Sequence, residues 1–175
     1  MFKRVKKVEN VVLDEEKSHI YLKDSTLPLI MIRPEELIEF GELAGSESED
    51  ILIWVGKSIG KSIAKEFIKT SDIDALKLRE KMKIINSILE KLQSLGYGIL
   101  VLNYGKGNIT IDVGNPLSKD HIDNIMAKNI CIIYNGIFTG LLEEIGIDSE
   151  GREINCILKG ADMCSFKFEF DQKFF

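Results

Sequence analysis

Four residues in the second half of the chain are of types that bind metals or exchange electrons: Cys131, Glu153, Cys156 and Cys164. Cys156 and Cys164 stand symmetrically about Gly160. A chain reversal there, through three or five residues, sets them opposite each other. Opposed cross-strand residues place their Cβ atoms about 4.5 to 5.5 Å apart. That spacing suits two thiolates on one zinc ion, with Zn–S about 2.3 Å. A helix packed on the hairpin would bring Cys131 as a third sulfur, and Glu153 offers a carboxylate oxygen. Glu153 and Cys156 differ by three positions, so a regular strand points them to opposite faces. A bulge, or a long reach by the glutamate, is required. Two plainer readings stand beside this one. A cysteine is commonly a small buried hydrophobe, and Cys156 and Cys164 could form a disulfide, which a reducing compartment disfavours.

Other patterns carry less. Gly56-Lys-Ser58 and Gly60-Lys-Ser62 look like fragments of a phosphate loop, but Ile51 and Val55 stand where the leading glycine is needed. The segment also has helical periodicity, and helical N–H groups are already bonded and cannot cradle phosphate. Gly96-Tyr-Gly98 opens a strand instead of leading into a helix, so it is no dinucleotide fingerprint. His19 and His121 are far apart, and His121 reads as a surface residue. No nucleophilic triad or paired-carboxylate site is visible, so nothing in the sequence marks an enzyme.

The elements that must position the cysteines can be read from periodicity. Apolar runs at 8–13, 20–22 and 27–32 predict an N-terminal hairpin or edge pair. Pro34-Glu35-Glu36 begins a helix that Gly45 ends. A second helix starts near Ser48, with Ile51, Val55, Ile59, Ile63 and Phe67 at spacing four. Gly56, Gly60 and Ala64 form a parallel row of small residues, which lets another helix approach closely. A third helix is expected from Asp72 to Leu95. Strands follow at Tyr97–Tyr104 and Asn108–Val113, joined by a tight turn at Gly105-Lys-Gly107. Ser118 is the expected N-cap of a long helix to Ile145. The last strands are expected at Arg152–Leu158 and Cys164–Phe170. Antiparallel strands with segregated helices predict an α+β fold, the sheet packed against a layer of helices.

The chain has 175 residues, 45% hydrophobic and 29% charged, which suits one domain with its own core. Residues 1–33 supply the N-terminal strands and 34–175 the core. A net charge of −5 argues against a direct nucleic-acid partner. The basic cluster Lys3, Arg4, Lys6, Lys7 is followed at once by acids and reads as a solvated terminus. No signal-peptide run follows it. The longest uncharged stretch, Asn129 to Leu142, has fourteen residues. That is short of the roughly 18 to 20 that span a bilayer, so it reads as a buried helix. Three widely spaced cysteines make no disulfide framework, and the expected compartment is the cytoplasm.

The segments Tyr134-Asn-Gly-Ile-Phe-Thr-Gly-Leu-Leu-Glu-Glu-Ile-Gly146 and Glu153-x2-Cys156-x3-Gly160-x3-Cys164-x-Phe166 resemble the 4-vinyl-reductase domain family. Pro34-Glu-Glu-Leu37 and Gly56-x3-Gly60 look similar too, so the resemblance spans residues 30 to 170. It implies the α+β fold shared with vesicle-tethering transport-particle subunits and with haem-based nitric oxide sensors. It also implies an interior site for a small, mostly apolar or aromatic molecule. In the related sensor domains of aromatic-responsive activators, a structural zinc is held by cysteines and a glutamate. Cys131, Glu153, Cys156 and Cys164 match those positions, within one residue of spacing before Glu153. The expectation is therefore a ligand-binding sensor domain, a homodimer, with one structural zinc. Tyr134 and Phe138, three and seven residues beyond Cys131, would line the ligand pocket. The haem-sensor signature Tyr-x-Ser-x-Arg is absent, which sets the expectation of no haem. No nucleotide cofactor is expected either. The family name points instead to a reductase borrowing a cofactor from a partner, and the transport-particle likeness to an assembly subunit.

Overall fold

The computed structural model describes residues 11–23, 28–68 and 72–170, apart from the side chains of Leu22 and Ser46. The basic cluster at 3–7, Val8 and the start of the third apolar run at Leu27 lie outside the described residues. Three short strands, β1 (Val11–Asp14), β2 (His19–Leu22) and β3 (Pro28–Leu29), form one antiparallel sheet of their own.

Helix α1 runs from Pro34 to Ala44. Glu36 reaches back to accept from the Arg33 N–H at 3.0 Å, a reciprocal cap at the helix start. Helix α2 covers Ser48–Phe67. Its buried row is Leu52, Gly56, Gly60 and Ala64, and the isoleucine row lies beside it: Ile51 is 39% exposed. The small residues face inward because α2 lies directly on α4. A Cβ built on Gly56 would sit 2.6 Å from the Ile133 carbonyl oxygen, and one on Gly136 would sit 2.6 Å from that of Ile53. Backbone meets backbone here, which larger side chains would prevent.

Two helices begin later than periodicity predicts. Helix α3 spans Leu78–Ser94, not 72–95. Asp72 accepts from the Ala75 N–H at 3.2 Å, holding a local turn, and Glu80 caps the Lys77 N–H at 3.0 Å. A side-chain bond of that kind competes with helix formation. Helix α4 spans Lys128–Glu144 and not 118–145. Ser118 is fully buried, and Asn124 accepts from the Met126 N–H at 2.8 Å, so residues 119–127 form two short 3₁₀ turns.

Strands β4 (Ile99–Gly105), β5 (Asn108–Gly114), β6 (Glu150–Asn155) and β7 (Cys164–Glu169) make a second antiparallel sheet in the order β4-β5-β7-β6. Ile109, Ile111 and Val113 alternate inward with no exposed surface. Phe166 and Phe168 on β7 join them. Helix α4 lies between this sheet and α2 and is buried on most of its circumference. The apolar window within Ile125–Glu144 has a mean hydropathy of 1.4, and 72% of it is buried inside the protein.

The expected symmetric hairpin about Gly160 is corrected. Strand β6 ends at Asn155, and Ile157–Lys159 turn as 3₁₀ backbone, closed by Gly160 in the left-handed region at φ 88°. Cys164 pairs across β5 with Val113, and Ser165 pairs with Asn155. The 3₁₀ turn takes up residues that a plain hairpin would leave in the strand.

Candidate metal and ligand site

Cys131 stands in the first turn of α4. The register of β6 slips between Glu153 and Asn155, which supplies the bulge that the spacing of Glu153 and Cys156 demands. Cys156 has extended backbone at the entry to the 3₁₀ turn, and Cys164 opens β7. Helix, bulge, turn and strand together bring one donor atom from each of the four residues within 4.8 Å of the others. Sγ of Cys131 lies 3.8 Å from that of Cys156 and 3.9 Å from that of Cys164. The Ile157 N–H donates to Cys164 Sγ at 3.5 Å, and Ser118 Oγ lies 4.0 Å from Cys131 Sγ.

The cluster is nearly dry. Cys131 and Cys156 keep 4% and 5% of their surface exposed, and Cys164 none. Its hydrogen bond to Cys164 holds the Cys131 thiol well above the ordinary thiol range, and burial adds to this. Burial, then contact with Glu153, pushes Cys156 up to about 11. The Cys131 hydrogen bond lowers Cys164. Oε1 of Glu153 is buried without a hydrogen-bond partner among the described residues. An orphan acceptor beside crowded thiols is costly unless a cation compensates it. The S3O donor set suits tetrahedral zinc, so these residues fit such an ion.

A cleft of about 520 Å³ opens beside the cluster. Cys131, Glu153 and Cys156 line it, with Ile122, Ile125, Ile132, Leu158 and Phe166 as apolar walls and Asn135, Lys128, Lys159 and Glu49 among its polar groups. Oδ1 of Asn135 is buried and unpartnered among the described residues. Tyr134 and Phe138 are placed elsewhere. They stack in the core with ring centroids 5.9 Å apart, and Phe138 meets Phe166 at 5.4 Å. The Tyr134 hydroxyl donates to the Tyr97 carbonyl at 2.8 Å and accepts from the Leu117 N–H at 3.3 Å. Asn135 carried a readable signal: it stands four residues after Cys131, and such pairs share a helix face.

No family model and no curated protein matches the chain. Solved structures do match. The phenol-responsive sensory domain of the transcription activator PoxR, solved with phenol, is 14% identical at a TM-score of 0.67, over 92% of this chain and 85% of that one. A trafficking protein particle complex subunit 3 from Naegleria fowleri, covalently bound to palmitic acid, is 16% identical at 0.52, over 79% and 94%. An H-NOX protein from Shewanella oneidensis in the Fe(II)NO ligation state is 14% identical at 0.53, over 84% and 81%. The chain therefore has the α+β fold of these proteins.

The expectation of no haem is corrected by the same comparison. Haem belongs to the H-NOX family, and this chain shares the H-NOX backbone frame. The expectation rested on one short side-chain motif.

Proposed function

We propose that this chain is a small-molecule sensor domain whose last hairpin is clamped to α4 by one structural zinc ion, held by Cys131, Glu153, Cys156 and Cys164. The observation that carries the reading is the convergence of these four donors within 4.8 Å in a buried place beside a cleft. Zinc bound there would neutralise the cluster and fix α4 against β6 and β7. With four protein donors it would have a folding role. The resemblance to the sensor domains of aromatic-responsive activators, stated above from sequence motifs, supports the same donor set. The chain would work in the cytoplasm, where free thiols persist.

The ligand would occupy the cleft. Its apolar walls and the unpartnered acceptor Asn135 Oδ1 favour a compact apolar molecule bearing an O–H or N–H donor. The PoxR sensory domain was solved with phenol, which makes phenol the first probe. Tyr134 and Phe138 would act one layer behind, as the packed floor. Self-association as a homodimer is part of the proposal. It is supported by the apolar side chains left uncovered at Leu43 (88% exposed) and Trp54 (69%).

Elemental analysis of the purified chain should give one zinc per chain. Cys156→Ser should lose the ion and melt at lower temperature. Phenol should bind saturably by calorimetry, and Asn135→Leu should weaken it about tenfold or more, the loss expected for one buried hydrogen bond. A chain that folds equally well with and without zinc would sink the clamp. Unchanged phenol binding in Asn135→Leu would sink the cleft assignment.

A further inference from the structure

We infer that Cys131 and Cys156 form an oxidisable dithiol, a modification site for hydroperoxides, whose closure to a disulfide removes the metal site and replaces the clamp with a covalent bridge. The inference rests on the metal reading above and adds a chemical reactivity to it.

Three observations single out this pair. Their sulfurs are 3.8 Å apart, so a disulfide of about 2.05 Å needs them to close by less than 2 Å. Both residues line the cleft, whereas Cys164 has no exposed surface and does not line it. A cleft of about 520 Å³ admits hydrogen peroxide with ease. Cys164 is also tied down: its sulfur accepts from the Ile157 N–H, and its backbone is paired in the sheet. Cys156 lies just past the end of β6, at the entry to a turn closed by Gly160, outside the strand ladder that holds Cys164.

The step balances with hydrogen peroxide as oxidant. In the zinc-loaded chain both sulfurs would be held as thiolates, since metal ligation requires the deprotonated form. One attacks a peroxide oxygen, the O–O bond breaks, and a sulfenic acid forms with release of hydroxide. The second thiolate attacks that sulfur, forming the S–S bond and expelling the oxygen as a second hydroxide. Two protons from solvent convert the hydroxides to water. The two sulfurs lose two electrons and the peroxide gains them. Cys164 and Glu153 remain, two donors where tetrahedral zinc needs four. The bridge would join residues 25 apart, linking α4 to the β6–β7 turn.

The test treats the zinc-loaded full chain with hydrogen peroxide and reads released zinc with a chromogenic chelator. Disulfides are mapped in the same samples by peptide mass spectrometry. The expected result is one zinc lost per disulfide formed, a single Cys131–Cys156 bridge, and recovery of zinc binding after dithiothreitol. Cys164→Ser, which leaves the pair intact, should form the same bridge. A bridge to Cys164, sulfinic acid in place of a disulfide, or thiols that survive peroxide would each overturn the inference. If the chain takes up no zinc at the outset, the metal reading fails, and the disulfide map still decides which pair reacts.

Discussion

Tyr134 shows how one side chain can be read two ways until its neighbours are known. Its ring belongs to a core layer with Tyr97, Phe138 and Phe166, and its hydroxyl bridges the Tyr97 carbonyl and the Leu117 N–H. Burial holds that hydroxyl protonated well above the ordinary tyrosine range. Tyr134→Phe keeps the ring and removes both hydrogen bonds. It should cost about 1–3 kcal/mol, the penalty for stranding buried polar partners, measured by urea denaturation. The metal content should not change. Asn135, the next residue, lines the cleft instead. A step of about 100° around a helix separates core from cleft here, and sequence spacing cannot say which of two adjacent residues takes which side.

At the scale of elements, the α2–α4 crossing governs the rest, because α4 carries Cys131. Gly136→Ala would gain about 1 kcal/mol of helix propensity. Against this, its Cβ would meet the Ile53 carbonyl oxygen at 2.6 Å, where rigid backbone lies on the other side. Overpacking of that kind costs about 1–3 kcal/mol, and an unyielding neighbour puts the cost at the upper end. The variant should be net destabilised, seen as a lower denaturation midpoint.

The same crossing carries a charge cluster. Lys57 and Lys61 donate to the two oxygens of Glu143 at 2.7 and 2.8 Å. Burial pushes the Glu143 carboxyl up, but the hydrogen bonds and charges of the two lysines outweigh it and leave it lowered. A lowered acid stabilises the fold above the ordinary carboxylate range, and that contribution is lost as pH falls through the lowered folded value. With both lysines more than a third exposed, solvent screening keeps the worth to about 0.5–1 kcal/mol. Glu143→Gln should show that deficit near neutrality and converge with wild type in acid, by thermal melts across pH.

Much of the element list was legible. The α1 start at Pro34, the α2 start at Ser48 and the alternation of β5 follow from local rules. The starts of α3 and α4 did not, because Asp72, Asn124 and Ser118 could each cap either a helix or a short turn. The tertiary environment chose the turn, burying Ser118 against the cysteine cluster. In α2 the conspicuous isoleucine row was the less informative one, since close approach to α4 selects the smallest residues for the contact.

For the whole molecule, the uncovered apolar residues on α1 and α2 set the next prediction. Wild type should sediment as a dimer, and Trp54→Glu should shift it toward monomer without loss of secondary structure. Trp54 is the single tryptophan of the chain, so its fluorescence should move to longer wavelength when the wild-type dimer dissociates on dilution. A wild-type monomer at all concentrations would rule self-association out.

By itself the sequence determined the fold class, since hydrophobic periods of 2 and 3.6 report which faces must be buried. It also determined the types of the four candidate metal donors, and even the need for a bulge, because strand parity is a local rule. The tertiary structure alone decided that their donor atoms meet. It decided too that the cleft opens on Asn135 while Tyr134 and Phe138 fill the core. Those outcomes depend on register, turn geometry and helix rotation, which are set by contacts between residues distant in the chain and so are not written in any single stretch of it.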